Sequence, residues 1–284
     1  MQVLIIGADT PVGLALCQYL EERDCEYVGL LKADCRWKSE RQAKKSLRRS
    51  NCDFVVDLRL QAAVDGGIRI HDIDVDRCLW LARASQTLKV PLMQLSSARV
   101  FSGLEGRPYR EDDYPDGSSG ISQLLISAES ILRDNCEQHV ILRTGPVFSP
   151  QGINVVTHML AELQVGNPLM LNRRELGCPQ AAEDSARVIS GMLDQFGCGL
   201  QAWGIYHYCS LDITNCYEFA EVLLAAASQY EEFPDDAVQL AADADEVAGV
   251  EHNLDCSRIK NTFAIKQQPW RTAVAGHVKH YYSE

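Results

Sequence analysis

The chain has 284 residues and a mass of 31.6 kDa, enough for one or two globular domains that bury about three quarters of the unfolded surface. A composition of 46% hydrophobic, 23% charged and 7% aromatic residues, with no biased tract, excludes collagen-like, disordered and repeat-only classes. The net charge of −12 opposes wholesale binding to a polyanion, so no nucleic-acid partner is expected.

The opening segment, Met1 to Val12, is apolar but interrupted by Gly7 and Asp9, with no basic stretch before it. It reads as a strand rather than an export signal. No run of about 18 uncharged apolar residues follows, so no membrane span is expected and the expected location is the cytoplasm. Eleven cysteines are scattered from Cys17 to Cys256 without a Cys-x-x-Cys or zinc-type spacing, and read as small buried hydrophobes; no metal site is expected.

Gln2 to Ile6 predicts a strand stopping at Gly7, and Val12 to Glu22 carries Leu14, Cys17 and Leu20 at helical spacing. Strands follow at Tyr27–Leu31, Cys52–Leu58 and Pro91–Leu95, with an amphipathic helix over Val75–Leu88. Strands alternating with helices imply a parallel sheet with right-handed crossovers. Ile121, Leu124, Leu125, Ala128, Ile131 and Leu132 share one helical face, and Val140–Arg143 is a further strand. Beyond Pro146 the rhythm changes: helices are expected over Ile153–Val165, Ala182–Phe196 and Tyr217–Ser228, a strand over Gly204–Cys209, and a closing helix over Trp270–Tyr282. Glu231–Glu246, with seven carboxylates and Pro234, reads as a solvated loop. No repeat or flexible linker intervenes, so the second region should pack directly on the first, with a ligand crevice between them.

The first turn reads Gly7-Ala8-Asp9-Thr10-Pro11-Val12-Gly13. A strand passing through glycines into a helix offers backbone N–H groups to a pyrophosphate. Here the outer glycines keep the spacing of Gly-x-x-Gly-x-x-Gly, but Thr10 puts a branched side chain in the middle and Asp9 a like charge beside it. Both act against tight dinucleotide binding. Lys32, Asp34 and Arg36 after the second strand fit a 2′-phosphate better than a ribose hydroxyl. From Arg36 to Arg49 seven basic residues stand against one acidic residue, either a solvated helix face or a patch for phosphate or an acidic partner.

Further on, Leu95-Ser96-Ser97-Ala98-Arg99-Val100-Phe101-Ser102-Gly103, Tyr109-Arg110-Glu111, Pro115, Ser119-Gly120, Leu142-Arg143-Thr144, Gly177-Cys178-Pro179, Ala182-Glu183-Asp184, Gly204-Ile205-Tyr206-His207 and Leu254-Asp255-Cys256-Ser257 follow in order. This series resembles the extended short-chain dehydrogenase/reductase family, most closely its dTDP-4-dehydrorhamnose reductase-like, sugar nucleotide-binding branch. The resemblance implies an α/β fold: a Rossmann-like doubly wound parallel sheet over residues 1–148 plus roughly 181–205, and a smaller α/β substrate-binding region over roughly 149–180 and 206–284. It implies an NADP-type cofactor at Gly7, Thr10, Pro11, Val12, Gly13, Lys32, Arg36 and Leu58, a nucleotide sugar against the smaller region, and hydride transfer to a sugar ketone.

The family's chemistry needs a tyrosine and a lysine four residues apart on one helix: the tyrosine protonates the developing alkoxide and the lysine lowers its pKa. The family pattern puts these roles on Ser119 and Gln123, which supply neither the acid nor the charge. No tyrosine in the chain has a lysine four residues later, and Lys89 and Lys260 are consecutive lysines, so no shift of alignment between them restores the pair. The family's third hydroxyl survives in kind as Ser97, which also suits a capping role. Asp57-Leu58-Arg59 replaces the usual Asn-Ala-Ala, and Arg99 an aromatic residue. Arg59 and Arg99 either hold an anionic ligand or pair with carboxylates such as Asp57. Arg173 and Arg174, where the family tends to have Asn-Asp, are further candidates for gripping a phosphate.

Three readings stand at this level. The first is a pseudoenzyme: a ligand-binding or regulatory protein acting on a small anion or nucleotide sugar, with weak or absent NADP binding and a possible protein partner, by analogy with the regulatory subunit of methionine adenosyltransferase in the same branch. The second is an NADP-dependent reductase or epimerase of nucleotide sugars. The third is an interaction scaffold using the basic segment.

Overall fold

The computed structural model describes residues 1–241 and 249–283. Its elements in chain order are β1 (Val3–Ile6), α1 (Pro11–Glu21), β2 (Tyr27–Leu30), α2 (Glu40–Ser50), β3 (Phe54–Asp57), α3 (Arg59–Asp65), α4 (Asp72–Leu88), β4 (Leu92–Ser97), α5 (Gly120–Asn135), β5 (His139–Thr144), β6 (Val147–Phe148), α6 (Val155–Gln164), β7 (Leu169–Leu171), β8 (Glu175–Gly177), β9 (Gln180–Ala181), α7 (Ala182–Gly197), β10 (Gly204–Tyr208), β11 (Thr214–Asn215), α8 (Cys216–Ala227), β12 (Val238–Leu240), β13 (Val250–His252), α9 (Ser257–Phe263) and α10 (Arg271–Tyr281).

Six strands form one sheet in the order β10-β5-β4-β3-β1-β2, every pairing parallel. Successive strand residues serve opposite faces: Val3, Ile5, Phe54 and Val56 enter one core, and Leu4, Ile6 and Val55 the other. Burial on both sides explains why these strands read as unbroken apolar runs. α1 and α7 cover one face, and α2, α4 and α5 the other. This is the expected Rossmann-like doubly wound sheet. Its order reverses between β1 and β3, so the Gly7 turn and the end of β3 flank the crevice where open α/β sheets take ligands.

The second region is built from small sheets: β11-β8-β13, β12 beside β7, and β6 beside β9. A third core, with Phe148, Leu160, Phe219, Leu223, Trp270 and Val278, holds α6, α8 and α10 around them. The acidic stretch expected to be loop contains a strand instead, because Val238–Leu240 pairs in parallel with Leu169–Leu171; residues 242–248 of that stretch lie outside the described residues. The cysteines are not uniformly core residues: Cys17 and Cys25 are half-buried, and Cys198 and Cys216 exposed. No described helix is long and apolar enough to cross a membrane.

Candidate functional site

The glycine turn is closed on itself. Gly7 adopts φ +86°, and a side chain on Gly13 would come within 2.2 Å of the Gly7 carbonyl, so both positions need glycine for the strand and helix to meet. Thr10 is fully buried at the N-cap of α1. Its Oγ1 donates to the Gly7 carbonyl at 2.7 Å and accepts from the Gly13 N–H at 3.0 Å. Pro11 has no N–H, and the Thr10 N–H is spent on the Gly7 carbonyl. Among the N–H groups of this turn, those of Asp9 and Val12 have no partner among the described residues. Asp9 accepts from the backbone N–H of Lys32 at 2.8 Å, which fixes a carboxylate beside the same turn. The turn thus offers few backbone donors, and a carboxylate stands beside them.

Beside that turn lies a cationic cavity of 360 Å³ lined by Lys32, Arg36, Arg59, Arg69 and Arg77, among others. Arg59 is not a free cation. Its Nε and Nη2 meet the two Asp57 oxygens at 2.9 and 2.7 Å, and its guanidinium lies 5.1 Å from the centre of the Trp37 ring. Burial works against the Arg59 charge, but Asp57 more than offsets it and the pKa is raised. Pairing with Asp57 is thus the realised alternative. Leu58 is buried directly behind, its Cβ 3.6 Å from where a Gly7 Cβ would stand.

Ser119 and Gln123 are committed to the start of α5. Ser119 is the N-cap, accepting from the Ser122 N–H at 3.1 Å, and Gln123 Nε2 donates to the Gly117 carbonyl at 2.6 Å. Both are exposed, and neither lines the crevice cavity. Behind them Arg143, Glu129 and His207 form a buried polar core. The Arg143 fork meets Glu129 at 2.6 Å, and the His207 Nδ1–H donates to the Tyr109 carbonyl at 3.1 Å. Burial and then the Arg143 charge push the His207 pKa down to about 3, so the ring is neutral and its Nε2 faces Arg143 Nη1 at 3.3 Å.

The crevice proper is a separate cavity of 210 Å³. One wall is built from Val64, Asp65, Ser97, Ala98 and Arg99, the other from residues of the second region. Ser97 is buried at the end of β4, where its Oγ accepts from the Arg99 N–H at 3.3 Å, a cap that still leaves the hydroxyl on the wall. Arg99 reaches across to Glu175 at 3.0 Å, and His252 stands 3.7 Å from the same carboxylate oxygen. Burial, opposed by Glu175, lowers the His252 pKa. Arg59 and Arg99 therefore line different cavities. Arg173 lies over the Tyr217 ring at 4.6 Å, and the Arg174 N–H donates to Asn172; neither lines the crevice. Asp65, Glu175, Cys216 and His252, which do, carry no motif that sequence reading could isolate.

The family described as RmlD substrate binding domain matches residues 1–283. A protein named dTDP-4-dehydrorhamnose reductase from Sinorhizobium fredii is 26% identical over 284 residues, covering 95% of this chain and 94% of its own. The spore coat polysaccharide biosynthesis protein SpsK of Bacillus subtilis is 26% identical over 227 residues, 78% of each chain. The crystal structure of a dTDP-4-dehydrorhamnose reductase from Clostridium acetobutylicum superposes with a TM-score of 0.81 at 17% identity, over 98% of this chain and 99% of that one. One from Bacillus anthracis, in complex with NADP, gives 0.79 at 17% identity over 100% and 98%. With a family match along almost its whole length and the corresponding fold, the chain belongs to the RmlD substrate binding domain family.

Proposed function

We propose that this protein binds a nucleotide sugar in the crevice between Arg99 and Glu175 and does not carry out the tyrosine–lysine hydride chemistry of its family, acting as a ligand-binding or regulatory protein. The observation that carries this reading is the start of α5, where Ser119 and Gln123 are both spent on local backbone contacts. A serine hydroxyl is too weak an acid to replace the tyrosine, and no ammonium exists on this helix to lower its pKa. The closed glycine turn supports weak or absent NADP binding. Lys32 and Arg36 remain available to a 2′-phosphate, but two backbone N–H groups, one of them on Asp9 with its own carboxylate, are a poor seat for a pyrophosphate.

A second reading is favoured by the relatives, which carry the name dTDP-4-dehydrorhamnose reductase over nearly the full chain length. It is NADP-dependent reduction of a nucleotide-sugar ketone, with the proton delivered by another group on the crevice wall. Losing a positioned general acid costs about 10²- to 10⁴-fold in rate. Two measurements separate the readings: calorimetric titration with dTDP-rhamnose, and NADPH oxidation in the presence of dTDP-4-dehydrorhamnose. Saturable binding of the sugar nucleotide with no NADPH oxidation above background is expected. Turnover at ordinary enzymatic rates overturns the first reading in favour of the second.

A further inference from the structure

Asp65 is the last residue of α3 and stands on the crevice wall beside Ser97 and Arg99. A carboxylate there is poorly placed three times over. It sits at a helix C-terminus, where the backbone dipoles favour positive charge. No arginine, lysine or histidine among the described residues forms an ion pair with it, since the nearby Arg99 is turned to Glu175. Asp65 is half-buried, which penalises the charged form. Its hydrogen bonds are also lopsided: Oδ2 accepts from the Val147 N–H at 2.9 Å and from the side-chain amide of Gln61, whereas among the described residues Oδ1 has no partner. That arrangement suits a neutral acid, with one oxygen as acceptor and the other left to carry a proton.

We propose that Asp65 is the proton-bearing group of this crevice and that its Oδ1–H donates a hydrogen bond to an oxygen of the bound nucleotide sugar. This rests on the nucleotide-sugar reading above. Burial, only partly offset by the Val147 N–H, Arg99 and Gln61, pushes the Asp65 pKa up to about 7, so the donor is present in slightly acidic solution and lost in alkaline solution. The other charged or titratable groups on the cavity wall are Arg99, Glu175, Cys216 and His252. The Cys216 thiol is pushed up by desolvation and stays neutral across this range. Glu175 is paired with Arg99, and His252, its pKa lowered by burial, is the titration that the test controls for.

The test is titration of dTDP-rhamnose, a diphosphate diester with no group of its own ionising between about pH 6 and 8. In the unmodified protein the dissociation constant should rise about tenfold over that interval, the linkage expected of a single proton held near neutrality. Asp65→Asn keeps the acceptor for Val147 and turns an N–H₂ donor to the crevice, so it should hold the acidic-solution affinity at both ends of the interval. His252→Gln should leave the dependence in place. An affinity that is flat with pH, or a dependence that survives Asp65→Asn, overturns the proposal.

A second measurement needs no ligand and no variant. The ¹³C carboxyl resonance of Asp65 should titrate with a midpoint near 7, and a midpoint in the ordinary carboxylate range also overturns the proposal. If dTDP-rhamnose fails to bind at any pH, the nucleotide-sugar reading falls and the ligand contact with it. The ¹³C midpoint still decides by itself whether Asp65 holds the proton.

Discussion

On the reading proposed above, Thr10 opposes a phosphate less by its bulk than by where its hydroxyl goes. Facing inward, it consumes the Gly13 N–H that an anion would otherwise meet at the start of α1. Thr10→Gly should release that N–H and, because one charge-assisted hydrogen bond contributes about 1.5–3 kcal/mol, tighten NADPH binding by on the order of tenfold. The loss in folding stability should be only a few tenths of a kcal/mol. Fluorescence titration with NADPH checks the first effect and urea unfolding the second; unchanged affinity would place the obstacle elsewhere, at Pro11 or Asp9. The threonine at position 10, where glycine is usual, was legible in the sequence. The direction of its hydroxyl was not, since that is set by the turn it caps. The choice facing Arg59 was equally visible without being decidable: Asp57 two residues earlier was an obvious partner, and only the fold shows the two side chains meeting in a bidentate pair.

Long amphipathic helices and buried strands declared themselves because each repeats its pattern over several residues. α1, α4, α5, α7 and α10 all lie within a few residues of their sequence-read positions. Elements of two or three residues repeat nothing, so β6 to β9 and β11 to β13 were invisible, and β12 hid inside an acidic stretch. The arrangement of Arg143, Glu129 and His207 is a property of elements as well: it fastens α5 to β5 and, through the neutral imidazole, to β10. Glu129→Ala should leave the Arg143 charge buried without its counterion and destabilise the fold by about 3–5 kcal/mol, whereas replacing Glu129 and Arg143 together by leucine and methionine should cost far less. Equilibrium urea denaturation of the two variants distinguishes an uncompensated charge from a simple loss of packing.

At the scale of the whole molecule, the crevice is shared between a wall that grows from the large sheet and a wall that grows from the small ones. The sequence reading expected two regions with a crevice between them, but could not say which side chains span it, because Arg99 and Glu175 are 76 residues apart. Their bridge is close to half exposed on both sides, so by itself it contributes little, about 0.2–1 kcal/mol. Glu175→Gln should accordingly tighten dTDP-rhamnose binding by about threefold, since the amide competes less strongly for the guanidinium. Calorimetric titration gives the answer, and weaker binding would mean that Glu175 itself holds the ligand.

Because the guanidinium already has a carboxylate neighbour, a diphosphate that recruits it enters by swapping counterions and not by filling a vacant charge. A neutral hexose has nothing to swap and leaves the span across the opening intact. If the proposed nucleotide sugar enters here, the doorway sorts ligands by electrostatic type before any hydroxyl of the sugar is read.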